Sequence, residues 1–383
     1  MASDATLRLD DRQHAIETAC RLHLEAMDLR AAGRPAEAAP LALRSIEILE
    51  REDASQLDVA NVLLALARIQ EDLGHLATAE ASIVRALGIL EGLRDAGDAG
   101  DDGAIRARLE TQSLGLLANL KRGQGQHLEA EDLFRRALAL TEQTFGSDDI
   151  QMASLLNGLG ILHKFQGRYD EAEPLYRRSL ALIEKAYGED HLETASLWHN
   201  LGGLEHARGG AENAQRGEPF ARRSVEIREK ALGSDHPDTA ADKAALAALL
   251  DAQGKYDEAE DLYVQAIAIF ERVYGPDHYE IAVNLNNLAA IRQTHGDTAE
   301  AERLYRRAAE IKETVLGPDH PDLGLTLHNL ATLLAAAHDT ARLDEAAALY
   351  GRALDIFERT LGPAHPHTAI CRESAAGLLA VAA

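Results

Sequence analysis

The sequence predicts an all-α solenoid of about eight helix–turn–helix repeats, and three observations carry that expectation. First, one pattern returns along almost the whole chain at a period of about 42 residues. Second, each copy splits into two segments whose apolar residues recur at helical spacing, with a glycine after each. Third, the composition is helical: 46% of the 383 residues are hydrophobic, yet only 4% are aromatic, and alanine and leucine dominate. A helix pair cannot bury its apolar face alone, so neighbouring pairs must stack.

The interhelix glycines fall at Gly33, Gly74, Gly125, Gly167, Gly209, Gly254 and Gly296, with His338 in the eighth slot. The gaps are 41, 51, 42, 42, 45, 42 and 42 residues. After a tail at 1–12, the first repeat spans about 13–56. The second, 57–104, ends in an acidic, glycine-rich insertion from Glu91 to Ala104, expected to be a solvated loop. The third and fourth span 105–152 and 153–195. The fifth, 196–240, takes three extra residues near Gly210 to Gly217. The sixth and seventh span 241–282 and 283–324. The eighth, 325–369, takes three more after His338, and a capping helix at 370–383 closes a single array.

Within a repeat, Leu285, Leu288, Ala289 and the aliphatic stem of Arg292 form the stripe of a first helix. Ala259, Leu262, Tyr263, Ala266 and Ile267 form that of a second. Gly167 and its equivalents supply the left-handed residue that ends the first helix. Asp170 with Glu173, and Asp257 with Glu260, have capping-box spacing for the second. A second glycine, as in Leu316-Gly317-Pro318, ends that helix. His-Pro then opens the next repeat, placing His236, His320 and His365 at N-caps.

These residues resemble the tetratricopeptide repeat, with Gly160, Gly167, Tyr169, Ala172, Tyr176 and Ser179 at the motif positions of one copy. The longer period and the Gly-x-Asp-His-Pro loop resemble its kinesin light chain subclass, which is common also in bacterial arrays. The first two repeats lack the Asp-His-Pro loop, and the last has His338 where glycine is expected. The resemblance implies a right-handed superhelix, second helices facing outward, and a concave inner surface that holds a peptide or protein segment.

Composition narrows the partners. With 63 acidic against 39 basic side chains the formal charge is −24, which repels nucleic acid and anionic membranes and points to a neutral or basic protein partner. That differs from kinesin light chains, whose grooves receive acidic peptides. Two cysteines at opposite ends make neither a metal motif nor a disulfide framework. With no apolar leader and no long apolar run, a cytoplasmic location is expected. Arginine outnumbers lysine 32 to 7, which suggests a GC-rich, bacterial source.

No catalytic signature is present. His23-Leu-Glu25 and His191-Leu-Glu193 lack the second histidine of a zinc helix, and Gly123-Gln-Gly125 has Leu128 where a dinucleotide loop needs glycine. The expectation is a non-enzymatic scaffold without metal or cofactor. His191, His236, His278, His320 and His365 recur once per repeat, so stacking would set them in a row instead of converging on an ion. Asp95, Asp98, Asp101 and Asp102 lack the alternate spacing of a calcium loop. Arg135–Arg136, Arg177–Arg178, Arg222–Arg223 and Arg306–Arg307 form a basic stripe. Glu131, Glu173, Glu218 and Glu302 stand four residues ahead of each pair, the favoured order for helix ion pairs. Trp198 reads as core.

The candidate binding residues lie on the first helices, beside the apolar stripe: Asn157, His199, Asn200, Asn286, Asn287, His328 and Asn329, with Lys164, His206 and Gln293 further along. An amide both donates and accepts, so it can pair with a peptide backbone of any sequence. Asparagine is a mediocre helix former, and its recurrence inside helices calls for a reason. Partner binding is one; bonds that tie adjacent repeats are the other. A ligand-responsive regulator, a regulatory subunit of a separate enzyme, and an enzyme on a helical scaffold stand as alternative functions. A homodimer through the ends of the array is a further expectation.

Overall fold

The chain is seen in a computed structural model that describes residues 2–97, 101–336 and 339–382. The described residues form helices and connecting turns, with no strand among them. They fall into two compact units, Met1–Tyr187 and Gly188–Ala383. The single array drawn from the repeats is therefore described as two stacks, each with its own core. In a stack each repeat touches only its neighbours, so no one core need span the chain.

The amino-terminal unit holds α1 (Ala2–Ala31), α2 (Pro35–Arg51), α3 (Gln56–Asp72), α4 (Leu76–Ala96), α5 (Asp101–Gly123), α6 (His127–Phe145), α7 (Gln151–Phe165) and α8 (Tyr169–Tyr187). The carboxy-terminal unit holds α9 (Leu192–Arg208), α10 (Ala211–Leu232), α11 (Pro237–Asp251), α12 (Tyr256–Tyr274), α13 (Tyr279–Thr294), α14 (Thr298–Leu316), α15 (Pro321–Ala335), α16 (Thr340–Thr360) and α17 (Pro366–Ala382). Odd-numbered helices are the first of each pair, and α17 packs alone on α15 and α16. No described helix is long and apolar enough to cross a membrane.

Several boundaries move. Residues 2–12 belong to α1 instead of a tail, and most pairs begin a few residues before the boundaries drawn above, since the residue after the capping His191, His236, His278 or His320 is already helical. The closing helix likewise begins at Pro366. The insertion is largely helical: α4 runs through Ala96 and α5 starts at Asp101, where acidic residues suit a helix N-terminus. Asp98 and His338 lie outside the described residues. The extra residues near Gly210 lengthen α10 to 22 residues, against 19 in α12 and α14.

Turn chemistry follows the glycines. Gly167 sits at φ +74°, and the next residue, Arg168, donates its N–H to His163 O five positions back at 2.9 Å. That closure leaves a single residue before the second helix, so the N-cap is Arg168 and not Asp170. Lys255 likewise caps α12 in place of Asp257, with no side-chain bond to the helix. Both predicted capping boxes are thus corrected; Asp170 and Asp257 stand inside the first turn, where they face the helix dipole. At Asp297, directly after Gly296, the post-glycine side chain does accept from its own helix, at Glu300 N, 3.3 Å.

The histidine loops behave as expected. Nδ1 of His191, His236, His278, His320 and His365 accepts the N–H two residues on, at 3.2–3.3 Å. Thr194, Thr239 and Thr368 close the same loop by donating to the carbonyls of Gly188, Gly233 and Gly362.

Second-helix rings fill the cores: Phe134, Tyr176, Tyr263, Tyr305 and Tyr350 are buried. Where the facing helix must come close it carries glycine. A Cβ on Gly158 would lie 2.6 Å from the Phe134 ring, and one on Gly160 2.8 Å from Tyr176. Within each unit the backbones of consecutive first helices come close (α1–α3–α5–α7 and α9–α11–α13–α15), whereas second helices stand farther apart and meet only through long side chains, as Arg222 of α10 meets Glu258 of α12. First helices therefore line the tighter side of each unit.

Candidate functional site

In the carboxy-terminal unit the first-helix face is held by bonds that run from repeat to repeat. His199 Nδ1 on α9 meets Asp242 Oδ1 on α11 at 2.7 Å. Asp242 is 2% exposed and also receives Ser224 Oγ and the Arg228 guanidinium from α10. On α13, Asn286 Oδ1 accepts from Thr326 Oγ1 and Asn329 Nδ2 of α15, both at 3.2 Å. Asn286 Nδ2 turns to Asn287 Oδ1, and Asn287 Nδ2 donates to Tyr263 OH at 3.3 Å. Gln293 Oε1 accepts from Tyr305 OH at 3.4 Å.

Beneath these amides Lys312 is buried and donates to Thr326 Oγ1 at 2.9 Å; burial holds its ammonium below the usual lysine range. His328 lies 5.4 Å from the Tyr350 ring, its Nδ1 buried without a hydrogen-bond partner among the described residues. Burial lowers its affinity for a proton, and His367 adds to the effect. Asn200 and His206 share α9 with His199, the first half-buried and the second exposed. The face thus gathers the candidate residues of this unit, and spends much of its hydrogen-bonding capacity on joining repeats. Trp198 is half-buried and stacks on Phe220 at 5.5 Å.

Asn157 and Lys164 stand on α7 of the amino-terminal unit. Asn157 is half-buried. Lys164 has no hydrogen bond or ion pair among the described residues; it lies 6.0 Å over the Phe165 ring, and burial lowers its proton affinity.

The same unit has a feature that the amide pattern misses. On the tighter side a cavity of about 400 Å³ opens between α1, α3, α5 and α7, walled by Arg30, Arg68, Glu71, Gln112, Asn119 and Gln151. Gly115 and Leu155 meet on its floor, where a Cβ at the glycine would come within 2.8 Å of Leu155 Cδ2. Arg30 is committed to Asp72, at 2.6 and 3.3 Å. Asn119 is committed to Gly115 O and Arg122. Arg68 has no hydrogen bond or ion pair among the described residues; burial weakens its hold on its proton and nearby Arg30 adds to this, while Glu71 opposes it. Burial raises the Glu71 carboxyl above the usual range. Gln151 Oε1 is buried without a hydrogen-bond partner among the described residues. One signal was available: Arg68 interrupts the apolar run from Val62 to Ile69.

Second helices carry the charge network. All four glutamates pair with their arginines, Glu131–Arg135 at 2.5 Å and Glu173–Arg177, Glu218–Arg222 and Glu302–Arg306 at 2.8 Å. Glu131 also holds Arg168, Glu218 holds Lys255 and Glu302 holds Arg342, each a cation of the following repeat. Three second arginines reach back instead, Arg178 to Glu142, Arg223 to Asp190 and Arg307 to Glu271, while Arg136 pairs with Asp132 on its own helix. Among the described residues no group of three or more His, Cys, Asp or Glu is placed to hold a metal ion.

Comparison with known proteins agrees with the repeats. A tetratricopeptide repeat family model matches residues 109–185, 151–216, 211–272, 243–314 and 280–342, and a second such model matches 324–367. No curated protein matches the chain. Among solved structures, a kinesin light chain-type protein of nearly identical TPR-like repeats from Podosopora anserina is 25% identical, covering 55% of this chain and 97% of its own, with a TM-score of 0.46. A signal-transduction ATPase with a tetratricopeptide repeat sensor from Pyrococcus horikoshii is 13% identical, covering 96% and 49%, at 0.64. A Rap protein in complex with Competence and Sporulation Factor is 16% identical, covering 94% and 98%, at 0.57. The last two show likeness of fold.

Proposed function

The chain belongs to the tetratricopeptide repeat family, and we propose that it is a non-enzymatic interaction scaffold whose first-helix face holds a peptide or protein segment. Folds of this family generally serve as protein-interaction scaffolds. The observation that carries the reading is the placement of His199 and Asn200, Asn286 and Asn287, and His328 and Asn329. They stand at matching positions of α9, α13 and α15, half-buried on the tighter side of one unit. Bonds among Asn286, Asn287 and Asn329 pre-set the orientations of those amides, which lowers the ordering cost when a partner arrives. The −24 charge favours a neutral or basic segment.

A pull-down from native lysate tests this, with wild type beside the Asn200/Asn287/Asn329 triple alanine variant. A protein held by wild type and lost by a variant of unchanged helix content supports the reading. Equal capture by both baits, or loss of helix content in the variant, overturns it in favour of repeat-tying.

The cavity of the amino-terminal unit favours a second reading, a regulator that responds to a small ligand. A thermal shift with the low-molecular-weight fraction of a cell extract tests it: stabilisation supports it, and no shift overturns it.

A further inference from the structure

The cavity between α1, α3, α5 and α7 presents polar groups that the fold itself does not use. Among the described residues Arg68 has neither hydrogen bond nor ion pair, and the same holds for the Glu71 carboxylate. Among the described residues no side-chain hydrogen bond reaches Gln112, and Gln151 Oε1 is buried without one. A half-buried charge that is not paired is costly, and an unmet buried acceptor costs a further hydrogen bond. Other arginines of this unit are answered by carboxylates, Arg30 by Asp72, Arg106 by Glu110 and Arg168 by Glu131, while Arg122 has the Asn119 amide oxygen at 3.4 Å.

Charge counting restricts what could satisfy these groups. Arg30 is neutralised by Asp72, which leaves one cation and one carboxylate, three residues apart on α3. A doubly charged phosphate would bring more negative charge than the wall can balance, and a cation would face Arg68. A zwitterion leaves the site neutral. Its acceptors would meet the guanidinium, a planar fork matched to carboxylate. Its N–H groups would meet the carboxylate and the orphan amide oxygen. The volume, about 400 Å³, lies at the low end of ligand clefts, ~300–1,000 Å³, which suits a dipeptide better than a longer segment. Leu116 and Leu155 offer apolar wall for a side chain.

We propose that this cavity binds a free dipeptide, its carboxylate received by Arg68 and its ammonium by Glu71 and Gln151 Oε1. The inference deepens the small-ligand reading above and rests on it.

The test is a thermal-shift screen of the full-length protein against the complete set of dipeptides with free termini, followed by calorimetry on the best of them. At least one should stabilise the protein. Its C-terminal amide, or the variant Arg68→Gln, should weaken binding by roughly tenfold to a hundredfold, the weight of hydrogen bonds to a charged group. N-acetylation, or Glu71→Gln, should do likewise. Arg68→Gln without ligand should melt close to wild type, since relief from burial and from Arg30 offsets the lost attraction to Glu71; a purely structural arginine would lower it. If that variant fails to fold, the amidated dipeptide on wild type decides the same point.

Unchanged binding by Arg68→Gln or by the amidated dipeptide overturns the proposal, as does tighter binding of inorganic phosphate than of any dipeptide. If the extract fraction stabilises the protein and no dipeptide does, the dipeptide falls and the regulator reading stands. If neither does, both fall.

Discussion

His199 on α9 and Asp242 on α11 meet at 2.7 Å, a histidine of one repeat held by a buried carboxylate of the next. Position alone marks His199 as a groove residue, yet its ring is already engaged in joining two first helices. Breaking a buried charge cluster from the acidic side strips His199, Ser224 and Arg228 of their shared acceptor and leaves Arg228 only the more exposed carboxylate of Asp238, at 3.2 Å. Asp242→Ala is therefore expected to cost about 3–5 kcal/mol. His199→Ala, which removes one bond from a partly exposed ring, should cost about 1 kcal/mol. Urea unfolding of both variants measures the difference, and equal costs would contradict the arrangement.

The histidine caps make a second prediction. His320→Ala removes the acceptor for Asp322 N–H and should cost about 1 kcal/mol. His320→Asn should recover most of it, because asparagine is among the best N-caps. Thermal denaturation of the pair tests whether the ring acts through its Nδ1 lone pair or through bulk.

Glycines on two kinds of helix surface should respond in opposite directions. Gly158→Ala forces a Cβ against the buried Phe134 ring and is expected to cost about 1–3 kcal/mol. Gly351, inside α16 with nothing near its missing Cβ, should accept alanine with a gain of roughly 0.5–1 kcal/mol. Chemical denaturation gives both signs.

Acid stability has a named contributor. Burial pushes the Glu218 carboxyl up, but Lys255, Arg222 and Gln253 bonding to it outweigh this and hold it down at about 2. A carboxyl depressed in the folded chain contributes stability that is complete above its unfolded value, near ~4.3. That stability is lost as pH falls through the folded value. Between those limits wild type should lose stability more steeply than Glu218→Gln. Melting temperatures across that window test it; parallel curves would show that the network adds nothing there.

Much of this was readable before any coordinates. The glycines at Gly167, Gly254 and Gly296, the histidine caps and the Glu–Arg pairs at four-residue spacing are local features, settled within one turn of backbone. The capping boxes at Asp170 and Asp257 failed for an equally local reason. The glycine turn consumes all but one residue before the helix, so a cap four positions past the start of that turn comes too late. The insertion departs from a solvated loop because acidic residues also suit a helix start, as at Asp101.

The periodic pattern by itself determined the helices, their pairing and the side of each helix that faces its neighbours, since a 3.6-residue repeat and the φ of a glycine are properties of a short segment. Only the tertiary structure decided which polar side chains answer one another. Asn286 and Asn329, or Arg30 and Asp72, stand a full repeat apart, and whether they touch depends on how far each helix is rotated and how closely a glycine lets its neighbour approach. The same packing decided that Asn286 is satisfied and that Arg68 is not.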